Sequence, residues 1–210
     1  VGRMALTPEG LCGFEYDADW IQSGFSISPF YLPLKPGLIM AKRDPFGGNF
    51  GVFDDSLPDG WGNLLLDRYL QEKGVDPYKL NILERLSLIG STGRGALEYQ
   101  PDKSIATDDE FLNFDRLANE IEKILESKES TGSVDLLYKY GGSSGGARPK
   151  VFAKLDGCEW LVKFKATSDP VNAGEIEYNY SLLAHERGIR MAETRLFDNR
   201  YFGAKRLDTT

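Results

Sequence analysis

GGSSGGARPKVFAKLDGCEWLVKFK, residues 141–165, decides how the chain is read. A Gly/Ser loop leads through an Arg-Pro-Lys step into two short apolar runs joined by Asp156–Gly157. Strands are expected near 150–155 and 159–165, with a tight turn between them. In the second run Trp160, Val162 and Phe164 share one face; Leu161, Lys163 and Lys165 share the other. Glycines let backbone amides approach an anion closely. A lysine held on the following strand adds a fixed cation, so the stretch reads as a phosphate cradle. Taken alone it is neither GxxxxGK[ST] nor GxGxxG. A flexible turn between elements is the competing reading.

The neighbours of this stretch shift the balance. SVDLLYKY, just upstream, reads as a short helix, with a strand as the alternative. Downstream, Asn172 with Glu175 makes a capping box for a helix to Arg187, with Gly188 at its C-terminal stop. A hairpin turning at Asp198–Asn199 follows. A glycine loop, a strand, a turn, a lysine strand, a helix with an early glutamate and a hairpin are the layout of a protein-kinase N-lobe. ATP phosphates need flexible-loop donors and a fixed cation, and the cation needs an anion to hold it. Lys163 is the candidate cation, with Lys165 the alternative on the same face; two lysines on a solvated face is the plainer reading. Glu177 is the candidate partner, against a surface glutamate favouring the helix N-terminus. The amides of Gly142, Gly145 and Gly146 would cradle phosphate. Lys150 and Arg148 either touch phosphate or, for Arg148, hold the loop through carboxylates. Ser143 and Ser144 donate to phosphate, carry a modification, or are ordinary loop serines.

Residues 1–130 contain none of this apparatus. LCGFEYD alternates as a strand ending near Asp17, ADWIQSG suits a short helix, FSISPFYLPL is extended and 35–50 is loop-like. Asp59 is the expected N-cap of a helix carrying Trp61, Leu64, Leu65 and Tyr69, closed by Gly74. A second helix is expected from Asp76 and Pro77 through Leu80, Leu83 and Leu86 to Gly90. STGRGALEYQP resembles a strand. Thr107 and Glu110 form a capping box for a helix to about Ser127, with Phe111, Leu117, Ile121, Ile124 and Leu125 inward. The polar stretch 127–132 is the expected domain boundary, giving domains 1–130 and 131–210.

Composition narrows the function classes. The chain has 210 residues, 41% of them apolar, enough for a real core. Lys+Arg 25 against Asp+Glu 32 leaves a net charge of −7, which argues against a large nucleic-acid footprint while leaving a local basic patch open. Cys12 and Cys158 have no CxxC spacing, so neither a disulfide framework nor a thiolate zinc site is expected, and a reducing cytoplasm fits. The one histidine, His185, sits near a helix end, where a cation is favoured; it leaves little material for a His-rich metal site or a Ser-His-Asp triad. Asp54, Asp55 and Asp59 lack metal-loop spacing and read as caps. No apolar run suits a membrane span, and no signal peptide is visible. Val1 is not a start methionine and opens a strand-like pattern, so further N-terminal residues are expected.

Together these residues resemble the HipA family, bacterial serine/threonine kinases that act as toxins beside a helix-turn-helix antitoxin. FDDSLPDGWGNLLLDRYL is similar to the family's N-terminal subdomain motif, and the STGRGALEY turn follows where the family has a strand. GGSSGGARPK is similar to its phosphate loop, WLVKF to its nucleotide-lysine strand, EYNYSLLAHERGI to its glutamate helix and FGAKRLD to its hinge. The resemblance implies an α+β fold: an N-terminal mixed strand/helix subdomain, then a protein-kinase-like N-lobe of antiparallel sheet and one helix. It implies ATP bound by Gly142, Ser143, Ser144, Gly145, Gly146, Ala147, Lys150, Lys163 and Glu177, and by backbone groups of Lys205 and Leu207 at the hinge. Ser143, seven residues before Lys150, falls on the loop serine whose autophosphorylation ejects the loop. The catalytic aspartate and the Mg2+ ligands are expected beyond Thr210, so no catalytic or metal residue is assigned within the chain, and this segment alone is expected to be inactive. The implied partners are a HipB-like helix-turn-helix antitoxin and a protein substrate, with DNA reached only through the antitoxin and no membrane; the alternative is a non-catalytic partner-binding or regulatory module that contacts the antitoxin.

Overall fold

The computed structural model describes residues 1–105, 112–126 and 134–207. In chain order the elements are β1 (Gly2–Leu6), β2 (Cys12–Tyr16), α1 (Ala18–Ser23), β3 (Ile39–Met40), α2 (Gly51–Asp54), α3 (Gly60–Glu72), a 3-10 turn (Pro77–Lys79), α4 (Ile82–Ile89), α5 (Phe114–Glu126), α6 (Val134–Gly141), β4 (Lys150–Leu155), β5 (Cys158–Lys163), α7 (Ala173–Glu186), β6 (Thr194–Phe197) and β7 (Tyr201–Lys205). Among the described residues the mixture is α+β, with two antiparallel sheets. Among the described residues no helix is long and apolar enough to cross a membrane. Two compact units form: one from Val1–Leu57 and Tyr78–Ile105, the other from Pro58–Pro77 with the described residues of Ala106–Thr210. Thus α3 and α5, read from sequence with residues 1–130, belong to the unit that carries the glycine loop. The expected boundary at 130/131 lies outside the described residues.

The first unit is built on the sheet β1-β2-β3. Strand β2 buries Cys12, Phe14 and Tyr16 against Phe50, Phe53 and Leu86, and the Phe14 and Tyr16 rings meet edge-on at 4.8 Å. The Tyr16 hydroxyl donates to the Leu32 carbonyl at 2.7 Å and accepts from the Ile27 amide at 3.1 Å, which satisfies the buried phenol and pins the irregular 27–32 segment. Two expectations fail here. The second helix starts at Ile82, not after Asp76: Asn81 and Glu84 exchange side-chain-to-backbone bonds of 2.8 and 3.0 Å. A capping box needs Glu or Gln three residues on, and Asp76 has Lys79 there. STGRGALEYQP forms no strand. Its backbone bonds go to turns and side chains instead, with the Ser91 amide on the Asp102 carboxylate and the Tyr99 amide on the Gly90 carbonyl.

The second unit carries the sheet β4-β5-β7-β6, antiparallel throughout. Both hairpins turn where expected: Asp156 and Gly157 have φ of 52° and 75°, Asp198 and Asn199 of 49° and 54°. These are positive-φ positions that Asp, Asn and Gly tolerate. Helix α3 buries Trp61, Leu65, Leu66 and Leu70, each fully buried leucine contributing about 1.5–3 kcal/mol. Tyr69 stacks on Tyr138 of α6 at 4.6 Å. In α5, Leu117, Ile121 and Ile124 are buried as expected and Leu125 only partly. Asn113 accepts the Arg116 amide at 2.9 Å at the helix start; the Thr107–Glu110 capping box and Phe111 lie outside the described residues. Helix α7 stops at Glu186, with Gly188 (φ 77°) just past the cap residue Arg187, as expected. Its expected Asn172–Glu175 box is absent, because Asn172 lacks the extended backbone an N-cap uses (φ −97°, ψ 24°) and makes no side-chain cap bond.

Candidate functional site

The β4–β5 hairpin sets the site. With a two-residue turn at Asp156–Gly157, the register runs Leu155↔Cys158, Phe152↔Leu161 and Lys150↔Lys163. Across β5, Leu161 pairs with Ala204 of β7. One sheet face therefore carries Lys150, Phe152, Leu161, Lys163, Phe202 and Ala204. The two lysines stand at one end, Phe152, Leu161, Phe202 and Ala204 lie beyond them, and Lys154 faces Glu159 past those. Such a face suits a ligand with a polyanionic end and a flat apolar end. At the apolar end the Arg206 guanidinium lies 5.3 Å from the Phe152 ring centre and is held by Glu159 at 3.1 Å.

Lys163 is held as its strand position requires. Its Nζ donates to Glu177 Oε1 at 2.7 Å and lies 5.3 Å from the Phe202 ring centre. Glu177 reaches it because α7 comes close to the β6–β7 hairpin. A Cβ on Gly174 would meet the Arg200 carbonyl oxygen at 2.0 Å, so only glycine permits that approach, one turn before Glu177. The Ser181 hydroxyl meets that of Thr194 at 2.8 Å and fastens the same helix lower down. The pair is partly exposed, so its worth lies in orienting the ammonium more than in stability. Lys165, the alternative cation, lies past the end of β5 and pairs with Glu122 at 3.7 Å. A cavity of about 450 Å³ opens beside the pair, lined by Lys163, Glu177, Lys165, Arg148 and Asp169 among others. That volume falls in the range of small-molecule sites.

The glycine loop is more committed than the cradle reading expects. The Gly142 amide donates to the Tyr138 carbonyl at 2.8 Å, and the Gly146 amide donates to the Asp59 carboxylate. Two of the three expected phosphate donors are thus already engaged. Ser144 is buried, its hydroxyl donating to the Gly141 carbonyl at 2.6 Å, while Ser143 is half-buried. Gly145 and Ala147 are exposed. Lys150 is buried and its Nζ donates to the Gly145 carbonyl. Burial depresses its pKa, the facing Lys163 adds to that, and Asp59 opposes it. Arg148 binds Asp169, whose carboxylate also accepts the Ala166 amide at 2.9 Å. At the expected hinge, the Lys205 amide donates to the Glu193 carbonyl at 2.8 Å, and Leu207 is exposed. Asp59 occupies the N-cap position of α3 but makes no cap bond, against expectation, because its carboxylate serves the loop. Among the described residues no cluster of three or more His, Cys, Asp or Glu side chains could hold a metal ion.

Sequence reasoning missed the register of Lys150 against Lys163 and the role of residues 59–62. Both had signals. A two-residue Asp-Gly turn sets its own register, and two glycines in the first turn of a helix are costly unless something packs closely there.

Residues 1–100 match the family model for the HipA N-terminal domain, and residues 142–210 match that for the HipA-like C-terminal domain. No curated protein matches. Among solved structures, the chain is similar to one described as the Shewanella oneidensis MR-1 toxin antitoxin system HipA, HipB and its operator DNA complex, with 22% identity and a TM-score of 0.59. The similarity covers 99% of this chain and 48% of that one. The chain spans about half the length of that relative, and the likeness is one of fold.

Proposed function

The chain belongs to the HipA family, and from that premise we propose that it is the nucleotide-binding part of an ATP-dependent serine/threonine protein kinase, the toxin of a toxin–antitoxin pair. The observation that carries this reading is the Lys163–Glu177 ion pair at 2.7 Å, set on a face where Lys150 stands opposite and Phe152 and Leu161 lie next to the pair of lysines. Lys163 orients the ATP phosphates, and Glu177 holds Lys163 in place. Exposed amides of the glycine loop add donors, and Phe152, Leu161 and Ala204 offer the base an apolar bed. Phosphotransfer also needs a general base and Mg2+, which neutralises the phosphate charge. In this proposal the chain's own residues supply nucleotide contacts only; no base or Mg2+ ligand is assigned among the described residues.

The solved relative is described as a complex with HipB and operator DNA. By analogy the partner proposed here is a HipB-like helix-turn-helix antitoxin, with DNA contacted through it, in the cytoplasm. The acid-rich composition supports the indirect route to DNA. Titration with a non-hydrolysable ATP analogue tests the reading. Lys163→Ala should weaken nucleotide binding at least about ten-fold, the scale of losing a charge-assisted contact, while antitoxin binding stays intact. Unchanged nucleotide affinity would overturn it.

A further inference from the structure

The Pro58–Gly62 turn, PDGWG, starts α3. Its chemistry is unusual for a helix start. Every residue from Asp59 to Gly62 is directed at the glycine loop. The Asp59 carboxylate accepts the Gly146 amide. The Trp61 amide donates to the Gly146 carbonyl at 3.0 Å, so both polar groups of one loop peptide region are taken. The Trp61 indole N–H donates to the Lys150 carbonyl at 3.0 Å, fixing the loop's exit into β4.

The glycines make room for these bonds. Gly60 has a φ of +28°, and a Cβ there would meet the Ala147 backbone at 2.6 and 2.9 Å. A Cβ on Gly62 would meet the Ser144 and Gly142 carbonyl oxygens at 2.5 and 2.7 Å. From the loop's own side, the Lys150 ammonium binds the Gly145 carbonyl, with Asp59 close enough to favour its charge.

We infer that PDGWG is the seat of the glycine loop, and that Asp59 is a positioning residue that holds the loop through the Gly146 amide. A Gly/Ser-rich segment has no conformation of its own to prefer. Here its path is dictated by a neighbouring helix start, through backbone bonds that are indifferent to loop side chains. A loop held in this way is already ordered when a ligand arrives, so the ordering cost is not charged to binding. This consequence for nucleotide affinity rests on the proposed function; the seat itself does not.

Hydrogen exchange on the chain reads the seat directly. Asp59→Ala should speed exchange of the Gly146 amide and its loop neighbours about five- to ten-fold, the scale of one lost hydrogen bond. Amides in the first turn of α3 other than that of Trp61, which bonds the Gly146 carbonyl, should be unchanged, because Asp59 gives them no cap bond. Asp59→Asn keeps an acceptor oxygen and should restore most of the protection. If Asp59→Ala instead exposes α3 while the loop stays protected, Asp59 is an ordinary cap and the inference falls. It also falls if loop exchange does not change. In parallel, an ATP-analogue titration should show several-fold weaker binding for Asp59→Ala than for Asp59→Asn, and equal affinities would overturn the ordering argument. Failure of the unaltered chain to bind the analogue would count against the nucleotide reading, leaving the seat to be judged by exchange.

Discussion

Lys150 on β4 and Lys163 on β5 stand directly opposite each other at the open end of the Asp156–Gly157 hairpin. Like charges facing across a strand pair are destabilising. Each lysine is therefore given a counter-group: Glu177 for Lys163, and the Gly145 carbonyl with the nearby Asp59 charge for Lys150. A paired cation site of this kind favours an anion that bears more than one charge.

The two candidate lysines separate by mutation. Lys163→Ala and Glu177→Ala should both weaken binding of an ATP analogue, the second less than the first, because Glu177 only orients the ammonium. Lys165→Ala should leave affinity within about two-fold, as expected of an exposed ion pair worth under about 1 kcal/mol. Calorimetric titration of the three variants decides the assignment; equal losses at positions 163 and 165 would contradict it.

Lys150 should leave a trace in the alkaline limb of stability. Its folded-state pKa is lowered, by burial first and by Lys163 next. Between that lowered value and the ordinary value of 10.5 the unfolded chain binds the extra proton, so stability rises with pH there. The cost is full below the folded-state pKa. Thermal melts from neutral pH towards 10.5 should show a shallower rise for Lys150→Met than for the unaltered protein; parallel curves would refute this.

Gly62→Ala tests the close approach of α3 to the glycine loop. Alanine is the better helix former, so propensity alone favours the variant. The added Cβ would meet two loop carbonyl oxygens at 2.5 and 2.7 Å. Overpacking should win and destabilise by about 1–3 kcal/mol in urea unfolding. A neutral or stabilising result would mean that the loop moves away freely.

Asp102 should contribute to the acid limb of the first unit. The Ser91 and Ser104 side chains and amides hold its carboxylate, lowering the pKa to about 2. A depressed carboxylate stabilises above its unfolded pKa, and that contribution fades as pH falls through the folded value. Acid unfolding between about pH 4 and about pH 2 should therefore be steeper in the unaltered protein than in Asp102→Asn. Coincident profiles would show that the carboxylate carries no such linkage.

Much of the second unit was legible in order. Turn residues that tolerate positive φ announced both hairpins, and the period of WLVKFK placed Lys163 on the face opposite Trp160 and Val162. Glu177 followed from its place in a helix bounded by Gly188. Less legible was anything that depended on competition between partners. Asp59 and Asn172 both looked like caps; one turned its carboxylate to the loop, and the other took a backbone that cannot cap. STGRGALEYQP had a strand's composition, but Asp102 and Gly90 claimed its amides.

The sequence by itself determined the elements whose causes are local: glycine and Asp-Gly turns, apolar periodicity, and a lysine strand followed by a glutamate helix. Those are properties of neighbouring residues and survive without a tertiary context. Only the tertiary structure decided which groups satisfy one another: that Lys163 and not Lys165 meets Glu177, that Lys150 folds back on Gly145, and that Asp59 holds Gly146 across 87 positions of chain. A hydrogen-bonding group takes the partner that folding brings within about 3 Å, and no local pattern records which partner that will be.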